Sequence, residues 1–182
     1  MAALLVVALV AAITMIAVVT SDDGGSDSGS CPTHLPPNVE LLAIGDTMPN
    51  FTLPDLDGRC VTVAAYRGQP LIVNFWASWC RPCRVEFPLF EAARERYAKS
   101  DLEILGIDYQ DIAGDGRAFV EEEDASWPMF FDGDGDIAKL FGVGKQIPQT
   151  FFIDRDGTVV SHIYGVTSPR DLNAEIKRIV KR

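Results

Sequence analysis

Leu71 to Trp76 (LIVNFW) is an apolar run broken only by Asn74, and soon after it the chain reads Cys80-Arg81-Pro82-Cys83. A run this short and continuous suits a strand buried on both faces, as in a parallel sheet covered by helices. It does not show the alternation of a sheet with one wet face. Downstream the period changes. From Cys80 to about Lys99 the pattern is helical, with Val85, Leu89, Phe90, Ala93 and Tyr97 on the apolar face. Pro82 suits a first helical turn, where a missing N–H is harmless. Pro88 is expected to kink the helix. The two cysteines thus stand where a core strand passes into a helix, the end of the strand at which open α/β sheets gather function.

Leu102 to Tyr109 (LEILGIDY) is a second core strand. Phe51-Thr52-Leu53 and Cys60-Val61-Thr62-Val63 flank Asp57-Gly58, a hairpin signal. Thr150 to Asp154 and Thr158 to Ile163 flank a second, Asp156-Gly157. Asp115 to Glu123 suits a short acidic helix, with Glu121 to Asp124 as a solvated face. Asp136 is placed to cap a helix over Ile137 to Phe141, with Gly142 behind it. Asp171 to Val180 closes the chain as a helix whose negative end carries Lys177, Arg178, Lys181 and Arg182. This order predicts an α/β fold: a mixed central sheet flanked by helices, with an N-terminal hairpin extension. Asp132, Asp134 and Asp136 resemble a calcium loop, but Ile137 replaces the required Gly and Val143 the terminal Glu, so a polar turn is expected. His34 and His162 are assigned no role.

Ala2 to Val19 is apolar except for Thr14. As a helix it would span about 27 Å, close to a hydrocarbon core of roughly 30 Å. A signal peptide usually has a shorter apolar region and a basic lead-in; here the lead-in is missing and Val18-Val19-Thr20 is a poor cleavage site. The division expected is therefore a transmembrane anchor (or uncleaved signal) over residues 1–20, a flexible acidic tether over 21–43, and one domain over 44–182. The tether begins SDDGGSDSGS, which cannot bury apolar surface. The net charge of −10 argues against nucleic acid as a partner. The first Lys or Arg is Arg59, so the positive-inside rule has nothing to count near the apolar segment. A short N-terminus staying inside would put the acidic side outside.

A thiolate, not a thiol, attacks disulfides. At a helix N-terminus the unpaired N–H groups and the macrodipole favour negative charge, and Cys80 is placed to feel both. Arg81 adds a cation. Cys83, one turn inside, is expected to be more buried. Cys80 is thus the nucleophile and Cys83 the thiol that resolves the mixed disulfide. Zinc would need a second close cysteine pair. Haem attachment would need His where Arg84 stands. No metal and no cofactor are expected.

The stretch from Asn74 to Pro88 (NFWASWCRPCRVEFP) resembles the thioredoxin superfamily. Within it the segment is similar to a membrane-anchored extracytoplasmic branch: the TlpA, ResA and cytochrome c maturation (DsbE-like) proteins. Gly45 to Phe51, Ile147 to Asp154 and Asp156-Gly157 also match, so the resemblance covers roughly Ile44 to Arg182. It implies a thioredoxin-like fold. It further implies that Pro148 is a cis-proline facing the dithiol and that Ile147 offers its backbone to a substrate strand. Glu86 would be the active-site acid that shifts protons at the dithiol, a solvated helix carboxylate being the alternative. Asn74 stands where cytoplasmic thioredoxins carry a buried Asp, so that proton route is absent. Trp79, Arg81 and Pro82 would shape the docking surface.

The resemblance implies a thiol–disulfide oxidoreductase acting on protein thiols and disulfides, with apocytochromes c awaiting haem among its candidate substrates. It would be a single-pass protein of the cell membrane, with its catalytic domain on the extracytoplasmic side and a membrane or extracytoplasmic redox partner. In that oxidising compartment Cys31 and Cys60 are expected to form a structural disulfide; two free thiols or an intermolecular bond are the alternatives. The rivals are a protein dithiol oxidant, a metal or haem carrier, and a peroxiredoxin-like peroxidase. Peroxiredoxins share the Gly45 to Phe51 pattern but place a Thr where this chain has Ala77.

Overall fold

In the computed structural model, residues 31–37 and 40–181 are described. The expected anchor over residues 1–20 and the tether residues 21–30 lie outside them. Strand β3 (Leu71–Trp76) is buried along its whole length. It lies mid-sheet, parallel to β4 (Glu103–Tyr109) and antiparallel to β6 (Gln149–Ile153). Beyond β4 lies β5 (Met129–Asp132), again parallel, and beyond β6 lies β7 (Val159–Tyr164), antiparallel. The order is β5-β4-β3-β6-β7. Strand β5 is an addition to the sequence reading. Its four residues are too few to show a period, and pairing with β4 makes them a strand.

Side chains alternate across β3. Val73 and Phe75 meet α4 (Asp136–Leu140) and the N-terminal hairpin, through Ile137, Leu140, Phe141, Phe51 and Leu53. Ile72 and Trp76 meet α2 (Phe87–Tyr97), α3 (Ala113–Glu122) and α5 (Pro169–Val180), through Phe87, Phe90, Phe119, Leu172 and Ile176. The hairpin is β1 (Thr52–Pro54) and β2 (Cys60–Thr62), turned through Gly58 at φ 85°. It touches the β5 edge through an Asp55–Phe130 bridge. Residues 45–47 lie against the opposite edge. Gly45 N donates to Val159 O at 2.8 Å, and Thr47 bridges Thr158.

Two expectations need correction. The helix after the cysteines is two helices, α1 (Arg81–Arg84) and α2, parted at Val85 and Glu86. Pro88 has no N–H for the Arg84 carbonyl, and the chain crosses the gap with tight bonds from Val85 N to Pro82 O and from Glu86 N to Cys83 O. The change of phase leaves Val85 60% exposed and buries Phe87 instead. Next, the acidic run at the end of α3 is not simply a solvated face. Glu122 and Glu123 pair with Arg84, whose guanidinium lies 4.5 Å from the Phe119 ring centre, and so fasten α1 to α3. The stretch from Cys31 onward is pinned, as the expected disulfide implies. Cys31 is bonded to Cys60, His34 and Thr52 exchange backbone hydrogen bonds, and Leu42 N donates to Leu140 O.

The cap of α4 also moves. Asp136 opens the helix but makes no cap bond. Buried Asp132 takes that part, accepting from Ile137 N at 3.2 Å and Ala138 N at 2.8 Å. Asp132→Ala is expected to lower stability by about 1–2 kcal/mol, read as a shift in the denaturant midpoint. Asp136→Ala, which breaks only an exposed pair with Lys139, should cost clearly less.

Candidate active site

The end of β3 delivers the chain through Ala77, Ser78 and Trp79 to Cys80. Cys80 and Cys83 form a disulfide with Cα atoms 5.3 Å apart. Cys80 is the N-cap of α1, and its Sγ accepts a hydrogen bond from Cys83 N at 3.2 Å. Cys83 is wholly buried and Cys80 keeps 4% of its surface, so an incoming group reaches Cys80 first. Because α1 is a single turn, a long helix dipole is not what steadies negative charge on Cys80. The local donor is the Cys83 amide.

The break after α1 gives Glu86 its place. As the residue before α2 it is completely buried. Its Oε1 accepts from Thr167 N at 2.7 Å, and its Oε2 accepts from Asn74 Nδ2 at 3.3 Å. Asn74 also donates to Thr150 Oγ1, its cross-strand partner on β6. Burial pushes the Glu86 carboxyl up to about 7, against the lowering pull of these two hydrogen bonds. A buried carboxyl that titrates near neutrality can hold or release a proton under ordinary conditions. The alternative of a solvated carboxylate is thereby removed.

The Ile147–Pro148 bond is cis, and Pro148 is buried. Its carbonyl accepts from Gly165 N at 2.9 Å, so the β7–α5 loop that reaches Glu86 through Thr167 also holds Pro148. Ile147 is half-buried and packs against both apolar clusters. His162, given no role in sequence, supports this turn. Its Nε2 lies 2.9 Å from Gln149 Oε1, while Gln149 Nε2 donates to Gln146 O. Burial lowers the His162 pKa, and the ring stacks on Phe151 at 3.9 Å.

Trp79, Arg81 and Pro82 are exposed around Cys80. The Trp79 indole N–H donates to Gln110 O, and Ser78 N donates to Asp111 Oδ2. The loop after β4 therefore holds the chain just ahead of Cys80. The sequence reading missed Thr150, Thr167, Gln110 and Asp111. Nothing local marks them, because their work depends on contacts across the fold.

A family model for the AhpC/TSA family matches residues 44–162. The thiol-disulfide oxidoreductase ResA of Bacillus thuringiensis subsp. konkukian is 32% identical over 140 residues, covering 77% of this chain and 80% of that protein. ResA of Geobacillus thermodenitrificans is 33% identical over 138 residues, covering 76% and 79%. Among solved structures, a Chlorobium tepidum protein described as a candidate DsbE thiol:disulfide interchange protein superposes with a TM-score of 0.71. It is 30% identical and matches 76% of this chain and 99% of its own. Together with the buried Cys80–Cys83 disulfide beyond the end of β3, these matches show that the chain belongs to the AhpC/TSA family, as a thioredoxin-like thiol–disulfide oxidoreductase of the ResA kind.

Proposed function

We propose that the protein is an extracytoplasmic reductant of disulfides in other proteins, held to the membrane by residues 1–20, with Cys80 as its attacking thiol. One observation carries the roles of the two cysteines: Cys80 alone of the pair keeps exposed surface, and the Cys83 amide points at its sulfur. The relatives are named for thiol–disulfide exchange; the reductive direction and an apocytochrome c substrate are what the resemblance of the Asn74 to Pro88 segment to the ResA and cytochrome c maturation branch implies. The apolar length of residues 2–19 supports the anchor.

In the reduced protein the Cys80 thiolate attacks one sulfur of the substrate disulfide, and the other leaves as a thiolate. Cys83 then loses its proton and attacks Cys80 Sγ. This expels the substrate's second thiolate and leaves the Cys80–Cys83 disulfide. Glu86, poised to change protonation near neutrality, is the proton acceptor in the resolving step and the donor in the reverse one. Ile147, ahead of cis Pro148, presents its backbone to the substrate strand.

With reduced protein and a disulfide-containing substrate, Cys83→Ser should accumulate a mixed disulfide through Cys80, detected by non-reducing electrophoresis and mass spectrometry. Trapping by Cys80→Ser and not by Cys83→Ser would reverse the assignment. A reduction potential near −270 mV supports the reductive direction, and one near −120 mV an oxidant.

A further inference from the structure

Strand β4 carries a second buried acid that the exchange chemistry above does not use. Asp108 lies between Trp76 on β3 and Phe131 on β5 in the sheet register, and it is wholly buried. Among the described residues, no donor reaches either of its carboxyl oxygens. The polar side chain it meets is another acid, Asp111. Helix α3 closes over the pair. A Cβ at Gly116 would overlap Asp108 Oδ2, so only glycine lets the helix backbone come this close.

Asp111 is differently placed. Its Oδ2 accepts from Ser78 N at 2.5 Å and its Oδ1 from Ile112 N at 2.7 Å. Two carboxyl groups in contact cannot both ionise without strong repulsion. Asp111 has two N–H donors and Asp108 has none, so the proton sits on Asp108. That proton is the only hydrogen available between two groups that are otherwise both acceptors. The facing residues on β3, β5 and α3 (Trp76, Phe131 and Gly116) carry no charge. The charged groups acting on Asp108 are Asp111 and Asp115, both acidic. Burial first, and then these acids, push Asp108 up to about 9.

We propose that Asp108 is a neutral positioning residue whose carboxyl proton is donated to Asp111, holding the Asp111 carboxylate on the Ser78 amide and so fixing the turn that presents Cys80. The active-site loop is then braced by a proton separate from the one on Glu86. Its consequence for exchange rests on the Cys80–Cys83 chemistry proposed above; the hydrogen bond itself does not.

The test uses oxidised protein, so that no thiol titrates. At pH 8 the infrared difference between parent and Asp108→Asn should contain a carboxylic-acid carbonyl band, and Glu86→Gln should retain that band. The Ser78 amide, followed by hydrogen exchange and corrected for hydroxide catalysis, should lose about tenfold in protection between pH 8 and pH 10 as Asp108 ionises. Asp108→Asn, whose amide donates in place of the acid proton, should keep its protection. A missing carboxylic-acid band, or the same loss of Ser78 protection in Asp108→Asn, overturns the proposal. Either result leaves the trapping experiment on Cys83→Ser unaffected.

Discussion

At pH 8 and above, Glu86→Gln is expected to be more stable than the parent chain by about 4 kcal/mol, a margin that shrinks to nothing near pH 4. The folded protein holds the Glu86 proton up to about pH 7, whereas an unfolded chain releases it near 4.3. Between those values the folded state binds more protons than the unfolded one, so stability falls as pH rises. Below the unfolded value both states are protonated and nothing is lost; above about 7 the full penalty applies. Each pKa unit corresponds to about 1.4 kcal/mol, which gives the margin quoted. Glutamine keeps the shape and the acceptor for Thr167 N but has no proton to lose. Asp108 and Asp132 are also shifted upward, but they are common to both proteins and cancel in the difference. Denaturant titrations at several pH values measure the margin directly. Parallel curves for parent and variant would mean that Glu86 does not titrate in this range. The same variant should also flatten the pH dependence of disulfide exchange around neutrality, since the group that takes the Cys83 proton is gone.

Removing the Cys31–Cys60 bond should cost about 3–4 kcal/mol and lower Tm by on the order of 10 °C. The bond closes a loop with a sequence separation of 29. In the chain-entropy model the cost comes mainly from the freedom returned to the unfolded chain. A Cys31→Ser, Cys60→Ser double variant is the right comparison, because added reductant would open the Cys80–Cys83 bond as well. The variant should exchange disulfides at the parent rate per folded molecule, since its bond fastens the N-terminal segment to the hairpin and not the dithiol. Equal melting temperatures would make this bond structurally idle. Peptide mapping of non-reduced protein should find Cys31 linked to Cys60.

What the sequence disclosed follows from how local each feature is. Strands β3 and β4 stand out because a continuous apolar run means burial on both faces. The two hairpins stand out because Asp-Gly turns leave a local mark. Strand β5 has no such mark, since its pairing with β4 defines it. The long helix was half right: Pro88 signalled a disturbance, but residue type alone does not say whether a helix bends or stops. The cysteine pair was legible as chemistry. The burial of Glu86 was not, because its partner Thr167 is 81 residues away, and Asn74 is itself braced by Thr150, 76 residues on. In the DGDGD turn the nearest acid, Asp136, was the natural choice of cap. The fold brings Asp132 to the helix amides instead, which needs the end of β5 to be known first.

The segment ahead of β3 touches both outer strands of the sheet, at Phe130 through Asp55 and at Val159 through Gly45. An uncovered outer strand offers its free N–H and C=O groups to any neighbouring chain and is a template for association. This one stretch therefore serves as a guard at both borders. A chain shortened to begin at Leu71 would keep the central strands and the dithiol but offer two open borders at once. Its expected failure is self-association between molecules, made worse by the loss of Phe51 and Leu53 from the core against Val73 and Phe75.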